Sequence, residues 1–143
     1  MAQAVEAVKT PRLLFFVASP LVRFVPTRGT VVPRVWEEAT YWFGLRIFGF
    51  LPFGEQAVRI TFSPGADDFR VRDDGYSRLV KRWDHRILIE RSGAGVRYCD
   101  ELNIEAGVLT PVVWLFAFLF YRHRQRRWSR LVKHEFDYQA AGA

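Results

Sequence analysis

The stretch RWDHRILIERSGAGVRYCDELNIEAGVLTPVVWLFAFLFY, residues 82–121, contains the change of sequence period that decides the fold. Apolar and polar residues alternate through Arg78–Glu90 and again through Val96–Ile104, which is typical of half-buried β-strands. Ser92-Gly93-Ala94-Gly95 lies between these segments and predicts a tight hairpin turn. From Val112 onward the apolar residues run without alternation, so we expect a helix to follow the hairpin.

The predicted C-terminal helix, residues 110–135, has two halves of different character. Thr110 can cap its start, and Pro111 suits the first turn because no helical amide hydrogen bond is lost there. Val112–Tyr121 is apolar on all sides, so we expect this half to be largely buried. The second half keeps only an apolar stripe, formed by Tyr121, Trp128, Leu131 and Val132.

Upstream of the hairpin, short alternating segments recur between turn residues. Thr40–Phe50 and Ala57–Phe62 alternate, and so do the residues around Phe69 and Val71. Turns are predicted at Pro52-Phe53-Gly54, Ser63-Pro64-Gly65 and Asp73-Asp74-Gly75. This pattern predicts an α+β fold, with an antiparallel sheet of five or six strands against the 110–135 helix.

The chain is expected to contain one domain with two appended segments. Residues 34–137 form the predicted domain. Residues 1–33 begin with a short helix at Ala2–Lys9, after which Pro11, Pro20, Pro26 and Pro33 predict extended pieces that pack on the sheet. Residues 138–143 are expected to be a flexible tail.

The positive charge of the chain is local. The net charge is +6, and six of the 21 Lys/Arg residues lie between Arg122 and His134, so the remaining 15 match the 15 acidic residues. Nucleic-acid binding needs a basic face with exposed aromatic side chains, and a neutral remainder does not predict one. The single cysteine, Cys99, forms no internal disulfide, and it shows no metal-ligand spacing with the histidines, so we expect no metal and no cofactor.

Two apolar runs have some of the character of membrane or export signals. Leu13–Val22 is interrupted by Pro20 and ended by Arg23, which is unlike a signal peptide. Val108–Tyr121 would form a helix of about 21 Å, shorter than a hydrocarbon core of roughly 30 Å. The sequence therefore predicts a cytoplasmic protein, with peripheral membrane contact as an alternative.

Four segments resemble bacterial members of the START/Bet v1-like superfamily, also called SRPBCC or polyketide cyclase-like proteins. They are Trp36–Gly54 (WEEATYWFGLRIFGFLPFG), Arg82–Glu90 (RWDHRILIE), Tyr98–Leu109 (YCDELNIEAGVL) and Phe120–Trp128 (FYRHRQRRW). The resemblance covers about residues 34–135. It implies a helix-grip fold, in which an antiparallel sheet wraps around a long C-terminal helix and leaves an apolar cavity. Members usually open with a strand and two short helices, and the short, proline-broken residues 1–33 depart from that pattern.

Strand parity brings two polar residues onto the apolar face of the predicted hairpin. His85 shares a face with Trp83 and Ile87, and Asp100 shares a face with Tyr98. If the hairpin turns about Gly93-Ala94, His85 and Asp100 are diagonal neighbours within reach of a hydrogen bond. Such a pair can be a structural feature of the core, a polar handle for a ligand, or a general acid/base with a shifted pKa.

The aromatic residues of the predicted interior can be plain core or can line a ligand cavity. For the second case the candidate ligand-binding residues are Tyr41, Phe43, Trp83, His85, Tyr98, Asp100, Trp114 and Phe118. The first functional hypothesis is therefore a binding protein for a small hydrophobic or amphipathic ligand. The alternatives are a cyclase/aromatase-type enzyme with His85 as base and Asp100 as its orienter, and a membrane-peripheral lipid or quinone carrier. In the carrier, Trp128 and the basic segment Arg122–Lys133 would contact anionic lipid. A homodimer is also left open.

Overall fold

The computed structural model describes residues 1–142 and has an α+β architecture. Its strands form one antiparallel six-stranded sheet in chain order, β1-β2-β3-β4-β5-β6. The predicted α+β class and long C-terminal helix are thereby confirmed. The elements are α1 (Ala2–Val8), α2 (Pro11–Ala18), β1 (Val22–Pro26), β2 (Thr40–Ile47), β3 (Leu51–Pro64), β4 (Asp68–Ser77), β5 (Arg82–Ser92), β6 (Gly95–Glu105), a 3₁₀ turn (Gly107–Leu109), α3 (Thr110–Lys133) and α4 (Tyr138–Gly142).

The β5–β6 hairpin has the predicted register. Ile87 pairs with Asp100, and His85 pairs with Leu102. Alternation along both strands follows from this register, because successive side chains point to opposite faces. The inner face, towards α3, therefore carries Trp83, His85 and Ile87 from β5.

Two predicted turns lie inside strands. Pro52-Phe53-Gly54 belongs to β3, and the chain reverses earlier, at Phe48 and Gly49, which have φ angles of 52° and 80°. Asp73-Asp74-Gly75 belongs to β4, and the following turn is closed by the Ser77 N–H, which donates to the Val80 carbonyl at 2.7 Å. Glycine inside a strand often marks a distortion or the close approach of another backbone, and the Asp-Gly pair here lies at such a distortion rather than at a turn.

Gly75 is needed because two strand backbones approach closely. A Cβ at this position would lie 2.5 Å from the Ala57 carbonyl oxygen of β3. The β3–β4 ladder is interrupted at this point, between the pairs Ala57–Tyr76 and Ile60–Asp73. The Arg59 N–H, left without a strand partner, donates instead to the Asp73 carboxylate at 3.0 Å.

Residues 1–33 are more regular than the prolines predicted. Pro11 begins α2 rather than breaking a helix, since proline is tolerated at the first helical position. The Thr10 side chain caps this helix by accepting a hydrogen bond from the Leu13 N–H at 3.4 Å. Val22–Pro26 then forms the edge strand β1, which pairs with β2. The segment therefore supplies two helices and a strand to the fold.

The expected flexible tail is helical over Tyr138–Gly142. Ala141 is fully buried in the main core, and the Tyr138 ring packs edge-on against Phe16 at 5.2 Å. The Asp137 carboxylate holds the start of this turn by accepting from the Gln139 and Ala140 N–H groups. Residue 143 lies outside the described residues.

The first half of α3 is exposed on one side, so the expectation that it is largely buried is wrong. Val113, Ala117 and Phe120 are buried, whereas Val112 is 70% exposed and Leu119 is 56% exposed. The reason is that the helix covers one face of a single sheet, and its other side meets no further layer in the described chain. Thr110 does not cap the helix with its side chain: it is the first helical residue, and its hydroxyl donates to the Gly107 carbonyl at 2.7 Å.

Among residues 1–142, no helix combines the length and the apolar character needed to cross a membrane.

The Gly75→Ala substitution should destabilise the fold, because its methyl group would push against the Ala57 carbonyl. We expect a loss of about 1–3 kcal/mol in the free energy of unfolding, measured by chemical denaturation. Gly95→Ala is the matched control, since a Cβ there meets only the Ser92 carbonyl at an ordinary 3.7 Å. Equal losses for the two variants would contradict the close-approach explanation.

Candidate functional site

A cavity of about 350 Å³ lies between the inner face of the sheet, α2 and α3. Sites for small molecules typically measure roughly 300–1,000 Å³ and combine apolar walls with few polar groups. Polar side chains interrupt the apolar wall here, among them Thr10, Gln56, Asp73, His85 and Arg124. The apolar lining includes Leu13, Val22, Phe24, Leu45, Val58, Ile60, Val71, Ile87, Val113 and Phe120.

His85 and Asp100 form the predicted hydrogen bond. The His85 Nε2 atom lies 2.8 Å from the Asp100 Oδ1 atom, and both side chains are buried. The same carboxylate accepts from the Tyr98 hydroxyl at 2.9 Å and from the Gln125 amide at 3.4 Å. Asp100 is therefore a well-satisfied buried carboxylate, held by β5, β6 and α3 together.

The protonation states of this pair follow from its surroundings. Burial alone would raise the pKa of Asp100, but the hydrogen bond from His85, the charge of nearby Arg124 and the hydrogen bond from Tyr98 lower it. Burial lowers the pKa of His85, although the hydrogen bond to Asp100 opposes this shift. At neutral pH an ionised Asp100 thus accepts from the Nε2–H of a neutral His85, since a carboxylate can only accept. The Nδ1 atom is then an acceptor, and a neutral imidazole in this state can take a proton from a bound molecule.

Arg124 is the second unusual group of the site. Its side chain is 6% exposed and lies against the rings of Tyr121 and Phe120, with the Cζ atom 4.8 Å and 5.8 Å from their centroids. The Nε atom is buried and has no hydrogen-bond partner among residues 1–142. The buried Tyr121 hydroxyl has no partner there either.

Asp73 faces the cavity from β4. It pairs directly with His85 of the neighbouring strand, so the two polar side chains are adjacent on the inner face. Burial raises the pKa of Asp73 to about 7, while the hydrogen bond from the Arg59 N–H and the charge of Arg124 oppose the shift. At neutral pH this carboxyl can therefore be a hydrogen-bond donor as well as an acceptor.

The residues predicted from the sequence lie in three places. Trp83 and His85 line the cavity. Asp100, Trp114 and Phe118 line a smaller groove of about 140 Å³ between β6 and α3. Tyr41, Phe43 and Tyr98 pack in the main core, where Tyr98 stacks on Trp128 with ring centroids 4.5 Å apart.

The sequence reasoning missed Asp73 and Arg124, although each has a signal. Asp73 shares strand parity with the buried Phe69 and Val71, but the Asp-Asp-Gly string is also typical of a turn. Arg124 lies on the helical period of the buried residues of α3, but in the sequence it is one member of a basic run. That buried stripe comprises Val113, Ala117, Phe120, Tyr121, Arg124, Trp128 and Leu131.

Comparison with known proteins assigns the chain to a family. Residues 28–132 match the model of the family described as Domain of unknown function (DUF8410), and the chain belongs to that family. No curated protein matches it, and no solved structure matches it.

Removing the charge of Asp100 should lower the pKa of His85 further, because that charge opposes the effect of burial. We expect Asp100→Asn to show this in an NMR titration of the His85 ring and to cost about 1–3 kcal/mol of stability. Glu101→Gln, on the exposed side of the same strand, is the control. An unchanged His85 pKa in Asp100→Asn would mean that the two groups do not interact.

In the wild type, His85 should make the stability of the protein fall as the pH drops below 6.5, the ordinary pKa of histidine. The reason is that the histidine of the unfolded chain binds a proton that the buried one resists.

Proposed function

We propose that this protein binds a small hydrophobic or amphipathic ligand in the cavity between the sheet and α3. The observation that carries the proposal is a cavity of about 350 Å³ whose largely apolar wall contains a few polar side chains. Apolar surface of this kind supplies binding free energy without direction, and a few polar groups orient the ligand. His85, fixed by Asp100, is suited to such an orienting role.

The proposal includes a helix-grip arrangement of the START/Bet v1-like kind. Two features support it: the antiparallel sheet lies on one side of the cavity, and α3 lies on the other. In this arrangement the two N-terminal helices complete the wall, since Val8, Leu13 and Leu14 all line the cavity.

The opening of the cavity is marked by residues that both line it and are exposed. These are Leu51 and Phe53 of β3 and Val112 of α3, with exposed fractions from 43% to 70%. The ligand would enter between the β2–β3 hairpin and the start of α3.

Filling the cavity should abolish ligand binding with little loss of stability. We expect Val58→Phe to place its ring in the space and to reduce the binding of an uncharged apolar dye, N-phenyl-1-naphthylamine, measured by fluorescence. Thr61→Phe adds the same ring to the exposed face of the same strand and should leave dye binding unchanged.

Adding a ring to a filled core costs about 1–3 kcal/mol of stability. A smaller loss in Val58→Phe would therefore show that the ring enters an empty space. Failure of the wild type to bind the dye, together with a large destabilisation of Val58→Phe, would remove the basis of the proposal.

A second proposed role is peripheral contact with an anionic membrane, through which an apolar ligand could enter. The observation that favours it is the exposed face of α3. Leu115 and Leu119 are exposed and follow Val112 at spacings of three or four residues, and Arg122, Arg126 and Arg130 continue this face at the same spacings. Apolar residues followed by arginines match the acyl and head-group layers of a bilayer.

The proposed membrane surface differs from the one that the sequence suggested. Trp128 is buried against Tyr98 and cannot contact lipid. Arg124 is buried, and Arg127 donates to the Phe16 carbonyl at 3.0 Å, so neither is free for head groups. The exposed basic residues of Arg122–Lys133 are Arg122, Arg126, Arg130 and Lys133.

Vesicles containing anionic lipid should co-sediment with the protein, and added salt should weaken this association. Each basic residue near such a surface contributes roughly 1 kcal/mol, so reversal of Arg122, Arg126 and Arg130 to Glu should abolish binding. Reversal of the exposed Arg70, Arg91 and Arg97, away from this face, makes the same change in net charge and is the control. Equal losses from the two triple variants would show a response to net charge alone, and absence of wild-type binding at low salt would refute the membrane role.

A further inference from the structure

Arg124 is a buried cation without a carboxylate partner among residues 1–142. No acidic residue within 1–142 forms an ion pair with its guanidinium, although nine ion pairs of other Lys and Arg side chains are present. A guanidinium remains charged in proteins and carries five N–H donors. Leaving such a group buried and unpaired is costly, and an arrangement of this kind is expected where a ligand supplies the acceptor.

The surroundings of Arg124 hold its guanidinium at the cavity. The rings of Tyr121 and Phe120 lie beneath it, and the side chain is itself part of the cavity wall. Asp100 and Asp73 offset part of the charge, but neither forms a hydrogen bond with Arg124. The Asp100 oxygens already accept from His85, Tyr98 and Gln125. Asp100 also lines the neighbouring groove rather than the cavity. The acceptor that Arg124 lacks must therefore come from the cavity side.

We propose that Arg124 is the head-group site of the cavity and that the ligand is an amphipathic carboxylic acid. The proposal rests on the proposed function, because it requires that the cavity binds a ligand. A carboxylate can accept two parallel N–H bonds from one guanidinium, and its single negative charge matches a single arginine. The apolar body of the acid would lie along the wall that contains Val58, Val71 and Ile87.

Asp73 makes this site sensitive to pH. When protonated, its carboxyl can donate a hydrogen bond to the ligand carboxylate, and when ionised it repels that carboxylate. Burial raises the pKa of Asp73 to about 7, so affinity for the acid should fall as the pH rises above that value. The charged or titratable groups around Asp73 are Arg59 on β3, Asp74 on β4, Asp84 and His85 on β5, and Tyr121 and Arg124 on α3.

The test compares laurate, methyl laurate and lauryl alcohol as competitors of N-phenyl-1-naphthylamine on the full chain. These probes share one apolar chain and differ in the head group. We expect laurate to bind the wild type most tightly, and Arg124→Met to weaken laurate by roughly tenfold to a hundredfold while dye and alcohol binding change much less. Arg126→Met removes the same charge from the exposed face of α3 and should change none of these affinities.

A second pair of variants separates charge from geometry. Arg124→Lys keeps the charge but loses the paired donors, so its laurate affinity should lie between those of the wild type and Arg124→Met. Asp73→Asn cannot ionise and should remove the loss of laurate affinity above about pH 7.

The outcomes distinguish the two proposals. If the wild type binds neither dye nor laurate, the proposed function fails together with this inference. If the dye binds but laurate, ester and alcohol compete equally, the cavity binds ligands and the head-group site is refuted. Ester binding equal to laurate binding would assign a neutral carbonyl to Arg124 and would overturn the acid. If Arg124→Met does not fold, the affinities of the wild type for the three probes still show whether the cavity prefers a carboxylate head group.

Discussion

The register of the β5–β6 hairpin fixes the interior of this protein. With Ile87 opposite Asp100, both Asp100 and His85 point towards α3, and the two meet in a hydrogen bond of 2.8 Å. A slip of one residue would turn every side chain of one strand to the other face, exposing Ile87 and Ile89 and separating the polar pair. The cost would be both apolar exposure and an unpaired buried carboxylate, so the hydrophobic and polar requirements specify the same register.

The cavity follows from how unevenly the sheet is covered. Helices α1, α2 and α3 pack on the inner face of the sheet. Only a narrow stripe of α3 is buried, and the aromatic and apolar residues on the other side of this helix remain exposed. The space left under the helices is then lined by residues of normal strand parity, among them Val58 and Val71. Polar groups in this space are removed from water, and this is the physical cause of the shifted pKa values of Asp73 and His85.

The basic segment of α3 shows how one compositional feature can serve several purposes. Arg124 is buried at the cavity, Arg127 holds α2 through the Phe16 carbonyl, and Arg122 lies exposed over the Phe118 ring. In the sequence these residues form a single run of positive charge. The helical period of about 3.6 residues separates them onto different faces, and the environment of each face then decides what its arginine does.

The sequence by itself determined the period-two strands from Thr40 onward, the hairpin register and the His85–Asp100 pair, because these depend on local alternation and on turn position. It also indicated the long helix, through a continuous apolar run that begins at a Thr-Pro pair. Only the tertiary structure decided that Asp73-Asp74-Gly75 is a strand distortion, since the decisive contact is with the Ala57 carbonyl 18 residues earlier. Tertiary structure likewise decided which side of Val112–Tyr121 is covered and that Arg124 enters the cavity, because burial depends on which other elements arrive at each face, and local sequence does not record that.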